Sequence, residues 1–108
     1  MTADTPAYLL ELVGGDRGVA REILAEFLAS DEQDRANLQA ALVSGDVAAI
    51  HTHAHRIKGA ARSVGASRYA EAAERLETAA AAGANLGELA SEISAASSAV
   101  ADWHTVLA

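Results

Sequence analysis

The run VAAIHTHAHRIKGAARSV, residues 47–64, separates into two faces when it is wound at about 100° per residue. Ile50, Ala54, Ile57, Ala61 and Val64 gather on one side, which must be the buried face. His55 lies roughly opposite, and His51, Lys58 and Arg62 fall within about 60° of it on the same wheel. The spacing predicts a helix over 47–64 that hides one apolar stripe and shows imidazole, ammonium and guanidinium groups to solvent. Gly65 stands where a left-handed C-cap is expected. A single stripe of this kind is stable only against other helices, so the rest of the chain must supply them.

It does so on both sides. Upstream, Thr5 as N-cap and Pro6 at the first helical position predict a short helix from Pro6 to Val13, ended by Gly14 and Gly15. A long helix follows from Asp16 to about Ser44, with Val19, Ile23, Phe27, Leu38 and Leu42 in mostly helical period. Its weak point is the polar stretch Ser30 to Arg35, where a bend is the alternative. Gly45 and Asp46 separate it from the helix at 47–64. Downstream, a helix is expected from Ser67 to Ala82, stopping at Gly83. The last helix carries Leu86, Leu89, Ile93, Ala96, Val100, Trp103 and Leu107 in alternating steps of three and four, which is a heptad seam. Trp103 is core on this reading and His104 is surface. The expected fold is all-α: an antiparallel up-down four-helix bundle with an additional short N-terminal helix that lids it, one domain over residues 1–108.

Composition supports that class. Of 108 residues, 51% are hydrophobic but only 4% aromatic, so the core must be built largely from Ala and Leu; Pro6 is the one proline. With no cysteine, disulfides, thiolate metal sites and thiol nucleophiles are excluded. No stretch approaches the roughly 20 apolar residues of a membrane span, and no signal-peptide pattern opens the chain, so a soluble cytoplasmic protein without direct membrane contact is expected. A net charge of -7 argues against nucleic acid as a partner. The charge is unevenly placed, however. Between Asp46 and Glu71 there is no acid, whereas Arg56, Lys58, Arg62 and Arg68 all fall in that window. A basic face that attracts an acidic partner or an anion is therefore expected.

An exposed neutral imidazole can attack phosphorus through one ring nitrogen while the other is held as N–H. A cation one turn away would stabilise the nonbridging oxygens of a transferring phosphoryl group, and Lys58 is the best candidate. Gly59, one turn after His55, is a poor mid-helix residue, costing about 1 kcal/mol relative to Ala, and would leave room for a phosphate or a docking protein. Spacing alone leaves a plain solvated helix face as the alternative.

The run Ala54-His55-Arg56-Ile57-Lys58-Gly59-Ala60-Ala61-Arg62-Ser63-Val64-Gly65 resembles the His-x-x-Lys-Gly-x-x-x-x-x-Gly signature of histidine phosphotransfer domains. From about Tyr8 through Glu77 the chain is similar in particular to the C-terminal phosphotransfer domains of hybrid sensor kinases of the virulence-sensor type. The resemblance implies that His55 is phosphorylated, Lys58 steadies the phosphate, Gly59 gives clearance and Gly65 ends the active helix. It also implies that the position 22 residues after the histidine, Glu77, orients the ring; a plain exposed residue pairing with Arg75 is the alternative. His51, Arg56 and Arg62 are then candidates for the phosphate environment and for docking. The implied donors and acceptors are aspartates of response-regulator receiver domains. The implied chain is a carrier in a multistep phosphorelay, with no ATP-dependent kinase activity and no cofactor of its own. Any Mg2+ belongs to the receiver.

Three rival readings are weaker. His51 and His55 at i, i+4 could hold zinc, but there is no Cys, His53 points to another face, and nearby cations would repel a metal, so no metal site is expected. A histidine-kinase dimerisation hairpin normally has an acid directly after its histidine and a proline four residues further on; here Arg56 and Ala60 hold those positions. The chain also has enough helices to close its own bundle, so a monomer is expected. The third rival is a non-catalytic helical interaction module that binds an acidic partner through the basic strip.

Overall fold

The computed structural model describes residues 3–108 and contains five helices and no strand among them. They are α1 (Pro6–Leu12), α2 (Arg17–Ser44), α3 (Val47–Ser63), α4 (Ser67–Ala79) and α5 (Leu86–Leu107). The starts of the first three follow from local chemistry. The Thr5 hydroxyl accepts from Tyr8 N–H, and the carboxylates of Asp16 and Asp46 accept from Val19 N–H and Ala49 N–H, each at 3.0 Å. Gly45 ends α2 in the left-handed region, at φ 72°.

α2 is unbroken through Ser30–Arg35, so the single continuous helix holds and no break interrupts it. Its 28 residues at about 1.5 Å each span about 42 Å, the long dimension of the molecule. α2 packs on α3, α3 on α4, α4 on α5, and α5 closes the ring against α2. The short connections at 45–46 and 64–66 make those neighbours antiparallel. α1 lies across α2 and α5. The core is the set expected on α3, Ile50, Ala54, Ile57, Ala61 and Val64, joined by Leu9, Leu24, Phe27, Leu38, Tyr69, Leu76, Ile93, Val100, Trp103 and Leu107. Val19, expected inside, is 38% exposed at the end of the bundle. α4 stops at Ala79, three residues before the expected Ala82, and the chain turns through residues 80–83 with Gly83 at φ 68°. The alanine run 79–82 carries no local stop signal, so only the path to α5 decides where the helix ends.

The polar stretch of α2 proves to be the hub of the core. Asp31 and Asp34 are buried. Asp31 accepts from the Tyr69 hydroxyl of α4 on one oxygen, and from Ser97 Oγ of α5 (2.7 Å) and Arg35 Nε (3.0 Å) on the other. Phe27 meets the Tyr69 ring edge to face, centroids 6.2 Å apart. Burial, reinforced by the Asp31 carboxylate, pushes the Tyr69 phenol far above its ordinary range, so it stays a donor. Three helices are thereby pinned in register by one carboxylate.

Gly65 sets the end of α3. Its φ is 75°, and a Cβ there would lie 2.5 Å from the Tyr8 ring. The segment before α1 is tied to the same turn: Asp4 N–H donates to Gly65 O (2.9 Å), and Asp4 Oδ1 accepts from Arg68 N–H (2.8 Å), which caps α4 from the far end of the sequence because Ala66 cannot. Gly65→Ala combines a left-handed backbone with a clash against an aromatic ring. It is expected to cost roughly 2 kcal/mol or more in urea unfolding; a loss below about 0.5 kcal/mol would show that the turn relaxes freely.

Candidate functional site

The face of α3 opposite the core carries His55, whose side chain is 65% exposed. Among the described residues it stays largely open to solvent, yet it is not free to turn. Its Nδ1 lies 2.6 Å from Glu77 Oε2 on α4. Glu77 is largely hidden, 11% exposed, because it stands in the groove between the two helices. The α3–α4 turn at Val64–Ala66 folds the two helices back on each other, which is how residues 22 apart meet.

Glu77 Oε1 accepts from Lys58 Nζ, also at 2.6 Å. The Lys58 hydrogen bond, with a smaller contribution from His55, holds the Glu77 carboxyl below the usual glutamate range against the opposing effect of burial. An ionised carboxylate can only accept, so Nδ1 of His55 must carry the proton. In the neutral ring Nε2 then keeps its lone pair, on the side away from Glu77. For a neutral imidazole the arrangement selects one tautomer, with the unprotonated nitrogen on the exposed side. The depressed Glu77 value also has a sign: the pair contributes stability that is full above the unfolded glutamate value and is lost as pH falls through the folded one.

The other candidate residues are distributed around this centre. His51 stacks parallel to His55, 5° between planes and 6.4 Å between centroids, and its Nε2 is 3.7 Å from Glu77 Oε2. That is too long for a hydrogen bond but within reach of the carboxylate's charge. Gly59 is exposed, and a Cβ on it would meet nothing within 4 Å, so no contact inside the chain requires glycine there. Arg56 turns toward α2, with Nε 3.4 Å from Asp34. Arg62 lies 3.6 Å from Glu74 in an exposed pair. Arg75, the alternative partner for Glu77, pairs instead with Glu92 at 2.8 Å.

These pairs correct the expected basic face. The acid-free window in the sequence is not acid-free in space, because Asp34 of α2 and Glu74 and Glu77 of α4 each meet one of its cations. Lys58 in particular does not stand out as a free ammonium: it is 13% exposed and committed to Glu77. Counting charges along the chain missed this, since the neutralising residues lie on neighbouring helices. Asp34 was the one member of the surroundings with no sequence signal, a polar residue in a stretch that reads as solvent-facing. No group of His, Asp and Glu among the described residues could hold a metal ion, and His53 faces elsewhere, with Nδ1 buried and unpartnered.

The Hpt domain family model matches residues 22–104. The fold is similar to the crystal structure of histidine-containing phosphotransfer protein B (HptB) from Pseudomonas aeruginosa PAO1, with a TM-score of 0.79 and 25% sequence identity over 93% of this chain and 86% of that one. No curated protein sequence matches the chain significantly.

Proposed function

The chain belongs to the Hpt domain family, and from that premise we propose that His55 is the residue that receives and surrenders the phosphoryl group of a phosphorelay. The observation that carries the assignment is the contact of His55 Nδ1 with an ionised Glu77, which in the neutral ring keeps the proton on Nδ1 and frees Nε2 on the exposed side. In the proposed step the Nε2 lone pair of His55 attacks the phosphorus of a receiver aspartyl phosphate. The bond from phosphorus to the aspartyl oxygen breaks, and its electron pair leaves with the aspartate carboxylate. Nδ1–H stays on Glu77 throughout. Transfer to a second receiver is the reverse step. The metal ion that the transfer uses is expected at the receiver, and this chain supplies position and charge. With no ATP chemistry of its own, the domain is a carrier.

Lys58 enters this scheme in two ways. It neutralises Glu77, so that a bare carboxylate does not face the incoming phosphate, and two further N–H donors of its ammonium remain for phosphoryl oxygens. Arg62 and Arg56 sit on the rim, paired to other acids, and fit docking. Lys58→Ala is therefore expected to slow phosphoryl uptake on the order of tenfold to a hundredfold, and Arg62→Ala by less than about fivefold. Single-turnover rates with one phosphorylated receiver check the ranking, and an equal loss in the two variants would overturn it. On the same reading the domain works in the cytoplasm as a monomer facing receiver domains, either on its own or tethered to a hybrid sensor kinase.

The proposal is tested by mixing the domain with a phosphorylated receiver and following label. Acid-labile, base-stable phosphate on the domain, absent from His55→Gln, is expected. A domain that binds the receiver without taking label would be an interaction module instead.

A further inference from the structure

His51 has no task in the step above, yet it stands directly beside the reacting pair. Its ring lies parallel to that of His55 at 6.4 Å, and its Nε2 faces the same Glu77 oxygen that holds His55. We infer that His51 is a positioning residue for the loaded state: it takes up a proton when His55 takes up the phosphoryl group. This rests on the assignment of His55 as the phosphorylated residue.

The argument is one of charge. In the unloaded domain the Glu77 carboxylate and the Lys58 ammonium cancel, and a neutral His55 adds nothing. Loading through Nε2 with Nδ1–H retained places two negative charges on the phosphoryl oxygens and one positive charge on the ring, a net change of one negative charge. The groups that could answer it are few. Facing His51 from α4 is Glu77, already held by Lys58; Glu74 of α4 is engaged by Arg62, and Asp34 of α2 by Arg56. On α3 itself, Asp46 is bound to the Ala49 N–H at the helix start, and His53 points away with a buried Nδ1. His51, 58% exposed, is the remaining ionisable neighbour, and an imidazolium there would lie 3.7 Å from Glu77 Oε2 and stack on the ring that bears the phosphoryl group.

A unit charge at the 6.4 Å ring separation changes proton affinity by about threefold in bulk-water dielectric; the ring charge and the two phosphoryl charges act with opposite sign, so their sum is a rise in His51 proton affinity of at most about that size in water. Linkage runs both ways: a protonated His51 favours the loaded form by the same factor by which loading favours its proton.

The experiment uses the full chain with nitrogen-15 in its histidines, loaded with potassium phosphoramidate at low temperature and low ionic strength. Phosphorus NMR first confirms phosphohistidine, and His55→Gln must abolish it; a signal that survives there counts against the function proposed for His55 and leaves His51 aside. The ring resonances of His51, assigned by their loss in His51→Gln, are then titrated in loaded and unloaded protein. A His51 midpoint displaced to higher pH, by up to about threefold in proton affinity, is expected in the loaded form, with His104, on α5, unmoved. Equal midpoints, or a lower one in the loaded protein, overturn the inference.

Discussion

Replacing Glu77 with alanine is expected to slow phosphoryl uptake by His55 on the order of tenfold to a hundredfold while the bundle stays folded. Two losses combine in that variant. Without the Oε2 acceptor at 2.6 Å, the His55 ring turns freely about its bonds and its proton moves between the two nitrogens, so the nucleophilic nitrogen faces the donor only part of the time. Without Oε1, Lys58 loses its anchor and leaves the groove. Glu77→Gln separates the two. Its amide carbonyl can still accept the Nδ1 proton, but the ion pair with Lys58 is gone, so its rate should fall between wild type and alanine. Nitrogen-15 spectra of the ring supply a readout that simple destabilisation does not move: Nδ1–H in wild type, a mixture of tautomers in Glu77→Ala. Wild-type rates in Glu77→Ala would remove the carboxylate from the account. Stability follows with a defined sign: because the Glu77 value is depressed, the wild-type advantage over Glu77→Gln should be full near neutrality and vanish as acid protonates the carboxylate.

The second large effect is structural. Asp31→Ala is expected to cost about 3 kcal/mol, which for a domain of this size lowers the melting temperature by roughly 12–24 °C. The carboxylate is 2% exposed and serves donors on three helices, so its removal leaves the Tyr69 and Ser97 hydroxyls buried without partners and opens a void behind Phe27. Arg35 can turn to solvent, which is why the loss is not larger. Asp31→Asn keeps an acceptor but turns an amide N–H2 toward a second donor, and should lose about half as much. Thermal and urea unfolding of the three proteins give the comparison. A loss under about 1 kcal/mol for alanine would mean that water replaces the carboxylate and that the helices keep their register without it.

Asp31 also shows what periodicity could and could not reveal. The buried stripe of α3 and the heptad seam of α5 were legible because apolar side chains repeat at the helical period, and Trp103 and Leu107 lie where that repeat puts them. The spacing of His55, Lys58 and Gly59 was legible for the same reason, since residues three and four apart share a face. Asp31 and Asp34 obey the same geometry but carry charge, so a polarity pattern sends them outward. Only the hydroxyls of Tyr69 and Ser97, on two other helices, make Asp31 a core residue. The state of Lys58 was hidden likewise: one turn from His55 in sequence terms, its ammonium is spoken for by a side chain 19 residues away. The early end of α4 belongs to this group too, because Ala79 to Ala82 would continue a helix if local preference alone ruled.

The proposed mechanism divides labour between the two nitrogens of one ring, with Nδ1 held by Glu77 and Nε2 left for the partner. The most direct measurement is therefore which atom bears the phosphate. Nitrogen–phosphorus coupling in labelled, loaded protein should locate it on Nε2 of His55, with Nδ1 still protonated. Phosphate on Nδ1, or on His51, His53 or His104 instead, would contradict the account at its root.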